Sequence, residues 1–163
     1  MAIPAYLWLK DDSGKDIKGS VDIRGREGSI EIIGITHCIT LPTDNYTSRT
    51  TSNTIHAPFL FNKEIDASTP YLYKGIATGQ TFQSAEIRCY DINDAGQEVN
   101  YFTTRLENVK IISISPIMYD IKDPAMEKHN HIEVIELRYE KITWTYKDGN
   151  IQHTDSWNER KTL

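Results

Sequence analysis

The stretch Tyr139–Trp157, YEKITWTYKDGNIQHTDSW, places three large aromatics in its first eight residues, turns on Asp148-Gly149 and returns as a second, more polar strand. Asp-Gly accepts the positive φ that a tight hairpin turn demands, so the segment predicts an antiparallel hairpin. Just upstream the apolar residues sit at odd positions, Ile135, Leu137 and Tyr139, and beyond Glu140-Lys141 they move to even ones, Ile142, Trp144 and Tyr146. A bulge at Glu140-Lys141 would return both halves to one core. Alternatively, one half faces the core and the other a second protein, because large exposed aromatics are interface material.

Working outward, the dominant period of the chain is two. GSIEIIGITHCITL (28–41) puts Ile33, Ile35, Ile39 and Leu41 on a face expected to be core, and Gly34, Thr36, Cys38 and Thr40 on a small, smooth face. TIHAPFLFNKEI repeats the habit at Ile55, Ala57, Phe59 and Phe61, and QSAEIRCYDI at Ala85, Ile87 and Cys89. NDAGQE (93–98) reads as a hairpin turn whose strands continue through VNYFTTRL and VKIISISPIM. Strands recurring between turn signals indicate a sandwich or barrel. DASTPYLYKGIATGQ (66–80) breaks the pattern. Ser68 or Thr69 can cap the first amides, Pro70 suits the opening turn, Leu72 and Ile76 repeat at i and i+4, and Gly79 can terminate in the left-handed region, so one short helix is expected over about 68–78.

A length of 163 residues suits one domain with one core. The formal charge of −5, without a Lys/Arg cluster, argues against nucleic acid as a partner. The N-terminus lacks a basic leader, so no cleavable signal peptide is expected, and no 18-residue apolar run suggests a membrane span. Cys38 and Cys89 lie in strand-like stretches and read as free buried thiols in a reducing cytosol. TDNYTSRTTSNT (43–54) holds seven Ser or Thr residues, with Tyr46 its only large apolar residue. It is too long for a hairpin turn, and reads as either a surface loop or an arm docking on a neighbouring subunit.

Signatures of chemistry are sparse: there is no glycine-rich phosphate loop, nucleophile elbow or CxxC pair, so no catalytic, metal-binding or cofactor-binding residue is assigned and an enzyme is not expected. In EKHNHIE, Glu127, His129, His131 and Glu133 share one face of an extended segment, but a metal would need further ligands, and a solvated strand entry is the favoured reading. Asn45-Tyr46-Thr47 is formally a glycosylation sequon, which carries no weight without a secretory leader. His37, alone on an apolar face, reads as a hydrogen-bonded core or interface histidine.

AIPAYLWLKD, HAPFLFNKEIDASTPYLYKGIATGQ and, above all, HNHIEVIELRYEKITWTYKDGNIQHTDSW resemble the Hcp (haemolysin-coregulated protein) family of bacterial type VI secretion systems, in its enterobacterial branch, over Ala2 to Glu159. The resemblance implies a mainly β fold: a compact β-barrel of two antiparallel sheets with one short helix, forming a single domain over 1–163. It further implies a homohexameric ring that stacks into the inner tube of a contractile apparatus and is exported with a VgrG-type spike when sheath proteins contract. Effector proteins would be carried in the lumen. The chain would be cytoplasmic before assembly and then secreted to the extracellular space or a target cell.

Mapped onto this sequence, the resemblance makes Thr43, Asp44, Asn45, Tyr46 and Arg49 of the extended loop a subunit interface, and Gly34, Thr36 and Thr40 lumen-facing. Asn93, Asp94, Gly96 and Gln97, with Asn158 of the tail, are the ring-stacking candidates, and Trp144, Tyr146 and Trp157 stiffen the hairpin. Because the chain ends soon after the barrel pattern, no toxin domain is expected. Two rival readings remain: a stand-alone β-sandwich module binding a sugar or small ligand on its aromatics, and a metal-dependent hydrolase built on His129 and His131.

Overall fold

Alternation of apolar and polar residues yields strands along most of the chain, and the computed structural model describes residues 3–156. In chain order the elements are β1 (Ala5–Lys10), β2 (Asp16–Ile17), β3 (Ile30–Ile32), β4 (Gly34–Thr36), β5 (Ile39–Thr40), β6 (Ile55–His56), β7 (Phe59–Glu64), α1 (Thr69–Thr78), β8 (Thr81–Ile92), β9 (Glu98–Ile117), β10 (Ile132–Arg138), β11 (Lys141–Tyr146) and β12 (Ile151–Ser156). A 3₁₀ turn, Pro124–Met126, precedes β10. Trp157, expected in the hairpin, and Asn158, expected at ring stacking, lie outside the described residues.

All pairings are antiparallel. The large sheet runs β2-β1-β8-β9-β10-β7-β4, and β5 and β6 form a separate two-stranded sheet. β3 pairs with β1, while β4, one residue further on, pairs with β7; this bent segment gives the sheet its barrel-like form. The long β9 carries β10 along one half, through the pair Ile135↔Ile114, and β11 along the other, through Ile142↔Leu106. β12 closes the hairpin on β11, with Trp144 opposite His153.

The break between β10 and β11 falls at Tyr139-Glu140, where the Glu140 amide donates to the Glu107 carbonyl at 3.1 Å. Ile135, Leu137, Tyr139 and Ile142 are all buried, and Trp144 packs partly against them, so the shift of parity returns both halves to one core. Tyr146 is instead exposed, which removes it from the expected hairpin core. The core also contains Leu7, Ile30, Phe61, Leu72, Phe82, Ile87 and Leu106.

The helix forms where expected and ends on Gly79 in the left-handed region, at φ 65°. Its start is built differently. Ser68 makes no side-chain cap and donates its hydroxyl to Asp66, while the Thr69 hydroxyl accepts the Asp66 amide at 3.1 Å. Gly75 faces the sheet, and a Cβ there would lie 2.6 Å from Cζ of Phe82, so the absent side chain lets the helix approach its strand.

Two expectations about the first long apolar stretch fail. Ile33, Ile35, Ile39 and Leu41 are exposed rather than core, as is Ile55. Ile30 and Ile32 supply the burial instead. β4 is only three residues long at the edge of β7, and beyond it the chain leaves the large sheet for the separate β5-β6 pair. Cys38 goes with it and is exposed, while Cys89 is half-buried; both are free thiols.

Candidate functional site: a preorganised arm and its root

Residues 38–57 form an irregular hairpin that stands away from the barrel. The Ala57 amide donates to the Cys38 carbonyl at 2.9 Å, Ile39 pairs with His56, and Thr40 with Ile55. Further out the Thr51 amide reaches the Pro42 carbonyl at 2.9 Å, and Thr43 bridges to Thr50. The tip turns through Ser48 at φ 57°, with the Asp44 amide donating to the Arg49 carbonyl at 2.8 Å. Asp44 Oδ1 accepts the amides of Thr47 at 2.8 Å and Tyr46 at 2.9 Å, and the Thr47 hydroxyl at 3.1 Å. These donors, the two amides foremost, hold the Asp44 carboxyl below the usual carboxylate range. Asn45 and Arg49 are exposed beside it, and Tyr46 projects 98% exposed from a tip whose backbone is already fixed.

At the root of this hairpin His37 Nε2 lies 2.9 Å from the Tyr139 hydroxyl, and His56 Nδ1 2.6 Å from the same oxygen. The other nitrogen of His56 meets Asp155 Oδ2 at 2.7 Å, and Arg138 donates to the His56 carbonyl at 3.1 Å. Burial, followed by the nearby His56, lowers the pKa of His37 below its ordinary value. Burial, seconded by Asp155, raises that of Tyr139, which therefore remains a neutral phenol. His37 is thus the hydrogen-bonded histidine anticipated from the sequence. Its partners Tyr139, His56 and Asp155 were not anticipated, because three distant segments supply them.

Thr36 and Thr40 are exposed and Gly34 is half-buried, so the small-residue face presents hydroxyls outward. Asp94, Gly96 and Gln97 are exposed in the β8-β9 turn; Asn93 ties that turn together by accepting the amides of Gln97 at 2.9 Å and Ala95 at 3.0 Å.

The His129/His131 segment does not build a metal centre, and among the described residues no group of three or more His, Cys, Asp or Glu is placed to hold one. The His129 ring lies tilted against Tyr119 at 4.7 Å, and Glu133 is turned inward, fully buried, onto Lys63 at 2.7 Å. Lys63, also fully buried, reaches Asp66 at 3.0 Å and the Thr69 hydroxyl at 3.2 Å, tying the start of α1 to β7 and β10. The sequence does carry a signal for this pair: Lys63 is in phase with Phe59 and Phe61, and Glu133 with Ile135 and Leu137. The structure sets the two opposite each other in register.

The two tryptophans among the described residues each have a side chain against the ring. Arg88 lies over Trp8 at 4.2 Å, and Trp144 lies parallel to His153. No helix among the described residues is long and apolar enough to cross a membrane.

Comparison with known proteins agrees with this geometry. The family model for the type VI secretion system effector Hcp matches residues 6–146. The chain is 28% identical to the "Major exported protein" of Pseudomonas aeruginosa, with 96% of each chain covered. A solved structure of the Hcp1 protein from the E. coli EAEC 042 pathovar is 62% identical, covers 96% of this chain and 99% of its own, and superposes with a TM-score of 0.87. The secreted protein Hcp3 from Pseudomonas aeruginosa shares the fold at a TM-score of 0.77 with 24% identity, covering 97% of this chain and all of that one. Strand path, helix and arm thus belong to one known architecture: the chain is a member of the Hcp family of type VI secretion system tube proteins.

Proposed function

We propose that this chain is one domain over 1–163 and acts as a structural subunit without catalysis, six copies closing into a ring through heterologous contacts. In such contacts one surface of a subunit meets a different surface of its neighbour, and closure stops growth within the plane. The observation that carries this reading is the row Ile33, Ile35, Ile39, Leu41 and Ile55, left exposed beside an arm that displays Tyr46. Large apolar side chains left exposed together along one stretch of chain are interface material. Thr43, Asp44, Asn45, Tyr46 and Arg49 make the arm's contact with the next subunit, and the hydroxyls of Thr36 and Thr40 beside Gly34 face the lumen.

A hydroxyl-bearing wall binds varied effector cargo weakly and releases it. Rings stack through the β8-β9 turn, where Asp94 and Gln97 are exposed, with Asn158 of the tail as a further stacking contact. The tube meets a VgrG-type spike at its end and sheath proteins along its outside, is cytoplasmic before assembly, and leaves the cell on contraction. The name of the P. aeruginosa relative supports export.

Light scattering behind a size-exclusion column, with negative-stain microscopy of the peak, tests the ring. Hexameric mass with hollow rings is expected for the wild type, and a loss of mass without a loss of thermal stability for Tyr46→Ala. A clean monomer at micromolar concentration overturns the reading.

A further inference from the structure

The root of the arm carries a hydrogen-bond chain whose direction the chemistry dictates. Asp155 is a carboxylate and can only accept, so His56 Nε2 donates to it across 2.7 Å. In the neutral ring the Nδ1 of His56 is then the acceptor, and it takes the Tyr139 proton across 2.6 Å. The Tyr139 oxygen, having given its one proton, accepts from His37 Nε2 across 2.9 Å. Each link has one donor and one acceptor.

A first proton on His56 is tolerated. Its Nδ1 becomes a donor, the Tyr139 hydroxyl turns around, and His37 accepts through Nε2 by moving its own proton to Nδ1. The new charge sits against Asp155. A second proton is costlier: both imidazolium nitrogens then point hydrogens at the one phenol oxygen, whose own hydrogen loses its histidine acceptor, and two like charges flank one atom. Burial, which holds the Tyr139 hydroxyl in its neutral form, disfavours relief by a phenolate. Groups facing the pair include the Phe59 ring, 5.1 Å from the His37 ring, the Ala57 backbone, whose hydrogen bond favours a charged His37 but is outweighed by burial, and Arg138, which adds positive charge at the His56 carbonyl.

We propose that His37 and His56, hung on the single Tyr139 hydroxyl, form a proton-gated latch: it holds the root of the arm on the barrel and lets go when both imidazoles are charged. His37 lies just before β5, and His56 is in β6, so the latch grips both legs of the 38–57 hairpin where it leaves the barrel. The inference deepens the ring reading, since the arm it governs is the contact assigned there to the neighbouring subunit. Acid would free the arm before it unfolds the barrel, because Tyr139 belongs to the main core and keeps its packing there when the two histidines let go.

The test is amide hydrogen exchange by mass spectrometry on the full chain between pH 7.5 and 5, corrected for the intrinsic pH dependence of exchange, with ring mass followed in parallel by light scattering. Protection of peptides covering 38–57 should fall by about tenfold per pH unit once opening takes up one proton, while peptides from β8 and β9 stay protected. In His37→Gln, which can still donate to Tyr139 but cannot charge, the fall should vanish. Tyr139→Phe should leave the arm exchanging fast and without pH dependence, and it supplies the comparison if the first variant misfolds. Arm protection unchanged with pH in the wild type, or a fall that persists in His37→Gln, overturns the latch. Rings with a pH-independent arm would sink the latch and leave the tube; a pH-dependent arm in a monomer would do the reverse.

Discussion

Replacing Gly75 with Ala sets two known effects against each other in one buried helical position. Alanine is the better helix former, by about 1 kcal/mol, and on propensity alone the variant gains stability. Packing opposes this. The added Cβ would sit 2.6 Å from Cζ and 2.8 Å from Cε2 of Phe82, with Ile111 Cδ1 at 3.5 Å. The Phe82 ring is 0% exposed and belongs to the main core cluster, so it cannot swing into solvent to make room. Forcing a methyl into a filled core costs about 1–3 kcal/mol. The balance is a net loss of up to about 2 kcal/mol, read as a fall in Tm of up to roughly 8 °C for a chain of this size.

Urea titration of Gly75→Ala in the wild type and in Phe82→Leu forms the decisive cycle. In the second background the smaller, more flexible side chain should yield, and the alanine should become neutral or stabilising. Equal or higher stability of Gly75→Ala in the wild-type background would refute the claim that close approach to Phe82 decides this residue.

The Lys63–Glu133 pair gives a second cycle. Lys63→Met alone should cost about 3–5 kcal/mol by stranding buried carboxylates, whereas Lys63→Met with Glu133→Leu should recover most of the loss, as measured by chemical denaturation. Trp144→Ala should lower stability by about 2 kcal/mol, less than a fully buried Trp because the ring is half-buried, and should reduce ring yield with it. For Asp44 the folded pKa is depressed, so the stabilisation of the arm tip is present above the ordinary value of 3.8 and is lost as pH falls through the lower folded value. Exchange of the Tyr46 and Thr47 amides should rise there, and Asp44→Ala should show that faster exchange already at neutral pH.

Much of the fold was legible because turn chemistry and periodicity are local. Gly79 at the end of α1, the Asn93–Gln97 turn and the Asp148-Gly149 hairpin all depend on what a few neighbouring residues permit. The expected helix over 68–78 coincides with Thr69–Thr78, and the antiparallel strands appear where alternation placed them. The sites were less legible. Alternation groups Ile33, Ile35, Ile39 and Leu41 on one face, but whether that face is covered depends on which strands pack above it. The exposed face is created by the departure of β5 and β6 from the large sheet.

The same division holds for the polar groups. By itself the sequence determined that this chain makes strands, one short helix and a long serine- and threonine-rich loop carrying Tyr46, since these follow from residue-level preferences and spacing. Only the tertiary structure decided that the parity shift at Tyr139-Glu140 serves one core, that Lys63 meets Glu133 rather than water, and that His37, His56 and Asp155 share Tyr139. The last two join segments roughly 70 to 100 residues apart. Such contacts depend on strand register, and register is settled when many side chains pack at once rather than by any one stretch of chain.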